Sequence, residues 1–97
     1  MTKGRAIAAS NRVRICDGVT AREFDGEWIV LDLNGGNYFG LNELGGIIWQ
    51  HICAGRSLGD IAALVAPDYQ VSSEVVLQDV LKLVDELVER GLAQVNG

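Results

Sequence analysis

Short apolar segments separated by turn signals make up most of the first half of the chain. The segment Val19 to Phe24 ends at Asp25-Gly26, a dipeptide that suits a type I′ hairpin turn, and Glu27 to Leu33 follows with alternating side chains. Asn34-Gly35-Gly36 provides a second turn, after which Asn37 to Leu41 returns. These signals predict a three-stranded antiparallel meander.

The second half of the chain has the apolar spacing of helices. Asn42 suits the N-cap of a first helix, and Gly55 suits its end. Ser57 begins a capping-box pattern for a second helix, and Pro67 predicts that this helix has ended by that position. The pattern therefore predicts two helices between the meander and residue 67.

A third helix is predicted from about Ser73 to Arg90, with Ser72 or Ser73 as its cap. Gly91 suits a left-handed stop, and Leu92 to Val95 has the composition of a short extended segment. A meander of three strands followed by three helices predicts an α+β fold.

The apolar side of the third helix is wide. When its residues are placed at 100° steps, the apolar side chains span about 160°, whereas a small core needs only a little more than about 100°. Either the whole stripe belongs to the core, or one flank is left to line a groove. The residues that we expect to line such a groove are Val76, Val80, Leu83, Val84 and Leu87.

The last strand of the meander lacks the features that usually protect an edge from pairing. It contains no charge and no proline, whereas the first strand contains Arg22 and Glu23. An extended peptide can pair with such an edge through main-chain hydrogen bonds while an apolar helix receives its side chains. The strand residues that we expect to bind a peptide are Asn37, Tyr38, Phe39, Gly40 and Leu41.

Charge is distributed unevenly along the 97 residues. Residues 1–22 contain five basic residues and one acidic residue, whereas residues 23–97 contain three basic and twelve acidic residues. Residues 1–11 show no periodicity and are predicted as a flexible basic arm, and residues 12–97 are predicted as one domain. The acidic domain argues against a nucleic-acid partner, because phosphate binding needs clustered Lys and Arg.

Few residues occur in patterns that support catalysis or metal binding. His51 is the only histidine, and Cys16 and Cys53 form no C-x-x-C motif. No nucleophile has a base and an orienting acid in a recognisable pattern, so we expect no enzymatic activity, no cofactor and no metal site. No apolar run approaches the roughly 20 residues of a membrane span or forms a secretory signal, which predicts a cytoplasmic protein without a membrane partner.

Three segments also match a known family in order. They are Asp25-Gly26-Glu27-Trp28-Ile29-Val30-Leu31-Asp32-Leu33, Asn37-Tyr38-Phe39-Gly40-Leu41-Asn42-Glu43 and Ile48-Trp49. Together with the Ser57 to Tyr69 segment and Gly91-Leu92, they resemble the PqqD-like family, named for a protein of pyrroloquinoline quinone biosynthesis. The resemblance covers about residues 13–95.

The resemblance implies a winged-helix-like domain that binds the leader segment of a ribosomally synthesised precursor peptide and presents it to a modifying enzyme. In such systems the enzyme is often a radical S-adenosylmethionine enzyme or a maturation protease. Family members take the leader as an added strand along their third strand and against their third helix. In this sequence those elements are Asn37 to Leu41 and the flank Val76 to Leu87. The resemblance thus implies a non-catalytic peptide chaperone.

Two other functions stay open from the residues alone. Three strands and three helices can form a winged helix-turn-helix DNA-binding regulator, although residues 73–90 contain five acidic residues against Lys82 and Arg90. A structural homodimer could instead pair through the open strand edge, and such pairing could be the resting state of a peptide binder. Mapping amide shifts during a titration with leader peptides tests the strand assignment.

Overall fold

The computed structural model describes residues 7–96, so Lys3 and Arg5 of the predicted arm lie outside the described residues. The described part forms five strands and three helices. In chain order they are β1 (Arg12–Ile15), β2 (Val19–Phe24), β3 (Glu27–Asp32), β4 (Asn37–Leu41), α1 (Glu43–Cys53), α2 (Leu58–Tyr69), α3 (Ser73–Glu89) and β5 (Ala93–Asn96). This arrangement confirms the predicted α+β, winged-helix-like class.

The predicted meander is formed by β2, β3 and β4, which pair antiparallel in that order. Asp25 and Gly26 have φ angles of 52° and 82°, as a type I′ turn between β2 and β3 requires. In the next turn, the Asp32 carboxylate accepts hydrogen bonds from the backbone N–H groups of Asn34 (3.1 Å) and Gly35 (3.2 Å). These bonds fix the chain reversal that leads into β4.

A second sheet joins the two ends of the domain. β1 pairs antiparallel with β5, and the register matches Arg12 with Asn96 and Ile15 with Ala93. The Cys16 N–H continues the ladder by donating to the Leu92 carbonyl (2.9 Å). The extended segment predicted after the third helix is therefore confirmed. Its pairing with β1 was not predicted.

Each helix begins at a side chain that caps its first turn. The Asn42 Oδ1 atom accepts from the Gly45 N–H (2.7 Å), and the Ser57 Oγ atom accepts from the Asp60 N–H (3.3 Å). Of the two serines proposed for the third helix, Ser72 is the cap. The three helix starts thus follow from local sequence signals.

The end of α2 differs from the prediction. Pro67 lies inside α2, which continues to Tyr69. Because proline lacks a backbone N–H, Pro67 cannot donate the helical hydrogen bond to the Ala63 carbonyl. Near the end of the helix this is the one bond lost, and Ala63 is exposed. The helix instead ends where Gln70 adopts a left-handed φ of 57° and donates to the carbonyls of Ala66 and Pro67.

The end of α3 matches the prediction. Gly91 has a φ of 77°, in the left-handed region that glycine occupies without steric cost. The Leu92 N–H donates to the Leu87 carbonyl (2.9 Å), so the chain folds back over the last turn. The buried Leu92 side chain then closes the core at the start of β5.

One apolar core lies between the helices and the inner face of the meander. Val30 and Leu41 contribute to it from the sheet, and Ile48, Trp49 and Ile52 contribute from α1. α2 packs mainly against α3 and covers one side of that helix. The buried residues of α3 are Val76, Val80, Val84 and Leu87, each at most 2% exposed.

The outer face of the meander, which turns away from the helices, contains exposed apolar side chains. Phe24, Leu33 and Tyr38 are 57%, 70% and 73% exposed. Ile29 and Leu31 lie on the same face by the period-two alternation of β3 and are half-buried.

The segment before β1 is hydrogen-bonded to the start of α2. The Gly59 N–H donates to the Ala9 carbonyl (2.8 Å), and the Leu58 N–H donates to the Asn11 carbonyl (3.0 Å). Ile7 also packs against the core. Residues 7–11 are therefore attached to the domain, in contrast to the predicted arm, because the first N–H groups of a helix need acceptors from outside it.

Candidate functional site

The outer edge of β4 presents backbone groups that no strand within residues 7–96 pairs with. Hydrogen-bonded pairs alternate along antiparallel strands, and the Leu33 N–H donates to the Gly18 carbonyl (2.8 Å). Alternate residues of β3 therefore bond to β2, and those between them bond to β4. In this register the N–H and C=O groups of Tyr38 and Gly40 point away from β3. Both residues offer a donor and an acceptor to an added strand.

A cavity of about 330 Å³ lies beside the C-terminal half of β4. Its lining residues come from β4, α1 and α3. They are Phe39, Gly40, Leu41, Asn42, Leu44, Gly45, Ile48, Asp79, Lys82, Leu83 and Glu86. Leu83 is the apolar side chain that α3 contributes, and we call this the Leu83 cavity. Its size falls within the range of roughly 300–1,000 Å³ that small ligand sites occupy.

A second cavity of about 330 Å³ lies at the N-terminal half of β4. Its lining residues are Val30, Asp32, Asn37, Tyr38, Phe39, Arg90 and Leu92. We call it the Arg90 cavity. Phe39 belongs to both cavities, and the Arg90 guanidinium carbon lies 4.8 Å from the centroid of the Phe39 ring. We refer to the two cavities together as the β4–α3 groove.

The helix side of the groove is a row of mostly charged residues. Asp79, Lys82 and Glu86 lie beside the end of β4, and Arg90, which follows α3, lies beside its start. α3 therefore runs antiparallel to β4. The Arg90 Nη2 atom lies 3.3 Å from the Glu86 Oε2 atom, and both side chains are 50% exposed. Opposite charges thus alternate along the row, next to the apolar side chain of Leu83.

All five residues predicted on the strand line the groove. Asn37 and Tyr38 line the Arg90 cavity, Gly40 and Leu41 line the Leu83 cavity, and Phe39 lines both. Their side chains have different surroundings, because Leu41 is buried whereas Tyr38 points to the outer face of the sheet. Tyr38 can therefore contact an added strand through its backbone.

Only one of the five residues predicted on the third helix lines the groove. Leu83 is half-buried and lies in the Leu83 cavity. The structure contradicts the expected groove position of Val76, Val80, Val84 and Leu87, which are buried in the core. The cause is α2, which covers the middle of the apolar stripe and leaves its Leu83 margin at the surface.

The charged residues of the groove were not predicted. Steps of 100° place Arg90, Asp79 and Glu86 directly beyond Leu83 at the margin of the apolar stripe. That order was present in the sequence. It became informative once the packing of α2 showed which flank of α3 faces β4.

A larger cavity of about 520 Å³ lies elsewhere, next to β5. Val88, Val95 and Cys16 line it together with Ile7, which directly follows residues outside the described range. The β4–α3 groove is the better candidate site because it adjoins the outward N–H groups of β4.

Signs of other kinds of site are few between residues 7 and 96. No cluster of three or more His, Cys, Asp or Glu side chains there could hold a metal ion. Cys16 and Cys53 are free thiols, and partial burial raises the pKa of the Cys53 thiol, which keeps it protonated at neutral pH. No helix of the described part is long and apolar enough to cross a membrane.

The fold and the groove define a small α+β domain with a strand edge beside a helix, an arrangement suited to strand addition. The model of the family of coenzyme PQQ synthesis protein D (PqqD) matches residues 27–93. The chain belongs to this PqqD family. No curated protein sequence matches the chain significantly.

Two solved structures resemble most of the chain. One is TbiB1 in complex with the TbiA(beta) leader peptide, with 28% identity, a TM-score of 0.76 and coverage of 84% of this chain and 94% of that chain. The other is a lasso peptide synthetase B1 complexed with the leader peptide, with 28% identity, a TM-score of 0.78 and coverage of 86% and 98%. Both similar chains were solved with a leader peptide.

Proposed function

We propose that this protein is a non-catalytic peptide chaperone that binds the leader segment of a ribosomally synthesised precursor peptide and presents it to a modifying enzyme. The observation on which the proposal depends is the outer edge of β4, where Tyr38 and Gly40 direct backbone groups toward the β4–α3 groove. Membership of the PqqD family and the two leader-peptide complexes support the same function.

In the proposed mechanism, the leader adds a strand to the meander. Ordering a disordered segment costs about 1–2 kcal/mol per residue in backbone entropy, and ladder hydrogen bonds return only about 0.5–1.5 kcal/mol each. The ladder therefore gives little net affinity and no sequence preference. Affinity and specificity come from side chains that enter the groove, and an apolar leader side chain packing against Leu83 is the main anchor.

A DNA-binding function is not favoured. α3, the counterpart of a recognition helix, contains five acidic residues and Lys82 as its one basic residue. Its groove side includes Asp79 and Glu86, which would repel the phosphate backbone.

The partner enzyme of the proposed pathway is a radical S-adenosylmethionine enzyme or a maturation protease, the enzyme types that the family resemblance implies. We place the function in the cytoplasm, where ribosomes make precursor peptides. Self-pairing through β4 is a second proposed state, and it would use the same edge as the leader.

Amide exchange tests the proposal directly. The probe is a synthetic leader peptide from a precursor encoded beside the gene of this protein, added to ¹⁵N-labelled protein. We expect the amides of Tyr38 and Gly40 to become protected on binding, because their N–H groups point outward. The amides of Phe39 and Leu41 serve as internal controls, since they already bond to β3 and should change little.

Two other results would contradict the proposal, one the site and one the function. Protection confined to β5 would move peptide binding to the other sheet. If none of the neighbouring precursors produced any change in the amide spectrum, the leader-binding function itself would fail.

A further inference from the structure

Two basic residues line the groove. Residues 23–97 contain three basic residues, which are Arg56, Lys82 and Arg90. Two of them, Lys82 and Arg90, line the β4–α3 groove. The placement of these two cations in the groove suits an occupant that is itself acidic in part.

Arg90 is positioned to bind a second carboxylate. Its guanidinium carbon lies over the Phe39 ring, 4.8 Å from the ring centroid, a cation–π contact that holds the group at the groove. Glu86 uses one of these donors at 3.3 Å. Arginine has five N–H donors, so further donors remain for another acceptor.

The ion pair between Arg90 and Glu86 does not prevent Arg90 from binding a guest carboxylate. Arg90 and Glu86 are each 50% exposed, and exposed pairs of this kind contribute little to stability. A charge-assisted hydrogen bond that becomes shielded from water on binding contributes more. A guest carboxylate can therefore share or replace Glu86.

The nearby Asp32 does not neutralise Arg90 through an ion pair. The Asp32 carboxylate lines the same cavity but accepts hydrogen bonds from the N–H groups of Asn34 and Gly35 in the turn before β4. The net charge of −5 opposes an acidic guest at long range, but at physiological salt this repulsion is screened beyond about 8 Å.

We infer that Arg90 is a specificity-determining residue that selects a guest peptide with an aspartate or glutamate two residues from the apolar side chain in the Leu83 cavity. The spacing follows from β4. The Arg90 cavity adjoins Asn37 to Phe39 and the Leu83 cavity adjoins Phe39 to Leu41, so their centres lie two residues apart. Side chains on one face of a strand recur at this interval of two residues. The inference rests on the proposed peptide-binding function.

The test is a selection from a random peptide library displayed on mRNA, performed with the full chain. For the unmodified protein, we expect enrichment of an apolar residue with Asp or Glu two positions away. Arg90→Glu should replace this acidic preference with Lys or Arg, and Arg90→Gln should abolish it. Arg56→Glu is the matched control, because it makes the same charge change outside the groove and should leave the preference unaltered.

Selected peptides then give a quantitative check. Replacing the acidic residue of a selected peptide by its amide should weaken binding to the unmodified protein on the order of tenfold to a hundredfold, the factor for one charge-assisted hydrogen bond. The same replacement should have little effect on binding to Arg90→Gln. Because Arg90→Gln introduces no negative charge, it keeps the test valid if Arg90→Glu does not fold.

The outcomes separate the inference from the function on which it rests. Apolar enrichment without a charge preference, lost in Leu83→Glu, would overturn the role of Arg90 and leave peptide binding in place. The same acidic preference in Arg90→Gln and in the unmodified protein would also overturn it. No enrichment with the unmodified protein would overturn both.

Discussion

Gly46 determines how closely α1 approaches the meander. A Cβ atom at this position would overlap the indole ring of Trp28, which lies on the inner face of β3. Glycine in a helix interior costs about 1 kcal/mol relative to alanine. The close approach explains why the sequence has glycine here, in the second turn of the helix whose residues Ile48, Trp49 and Ile52 are buried in the core.

We expect Gly46→Ala to lower the free energy of unfolding by about 1–3 kcal/mol, because overlap with a rigid ring outweighs the gain in helix propensity. Urea denaturation measures this change. Trp28→Leu removes the obstacle, so the double variant should be more stable than the sum of the two single effects indicates. Additivity of the two changes to within about 0.5 kcal/mol would mean that the two residues do not interact as the structure shows.

At the scale of elements, α3 has two different tasks on adjacent flanks. The middle of its apolar stripe, which includes Val80, is buried under α2, whereas Leu83 at the margin faces the groove. The width of the stripe indicated an excess of apolar surface. It could not show which flank was left over, because that depends on where α2 packs.

We expect substitution by glutamate to have different consequences on the two flanks of α3. Val80→Glu buries a charge at a position that is 0% exposed and should cost more than about 4 kcal/mol, a large part of the roughly 5–15 kcal/mol stability of an ordinary domain. Leu83→Glu should leave the helical circular dichroism intact and weaken peptide binding at least tenfold, on the order of one lost apolar anchor.

Leu64→Glu is the matched control for this pair. Leu64 is an exposed leucine of α2 outside the groove, at 51% exposure, so its substitution should change neither folding nor binding. Fluorescence anisotropy with a labelled leader peptide measures the binding of all three variants. Equal binding by Leu83→Glu and Leu64→Glu would exclude Leu83 from the binding surface.

The strands and helix starts could be predicted because their signals are local. The Asp25-Gly26 turn and the Asn42 and Ser57 caps act within a few residues, and each is present in the structure. The signal at Pro67 was also local but misleading, since a proline in the last turns of a helix costs few bonds. Local signals therefore located the helix starts better than the end of α2.

At the scale of the whole molecule, pairing between distant parts of the chain could not be predicted. The β1–β5 ladder, in which Arg12 pairs with Asn96, joins the two ends of the domain, and no turn signal links β1 to β5. The charged side of the groove was missed for a related reason. Arg90 meets Phe39 through the packing of α3 against β4, a contact between residues distant in sequence.

The same open edge also determines how the molecule can associate with itself. Two copies that pair through β4 would each use the outward groups of Tyr38 and Gly40, which are the groups that a leader peptide needs. Leader binding and self-pairing through this edge are therefore mutually exclusive.

We expect a saturating leader peptide to hold the protein as a monomer at every protein concentration. Sedimentation equilibrium with and without peptide measures this. The Leu83→Glu variant is the control, because it keeps the β4 edge that the proposed self-pairing uses but should resist the peptide. A dimer that persists with peptide bound would have to form through another surface. The exposed outer face with Phe24, Leu33 and Tyr38 would then be the next surface to test, since its apolar side chains do not depend on the β4 edge.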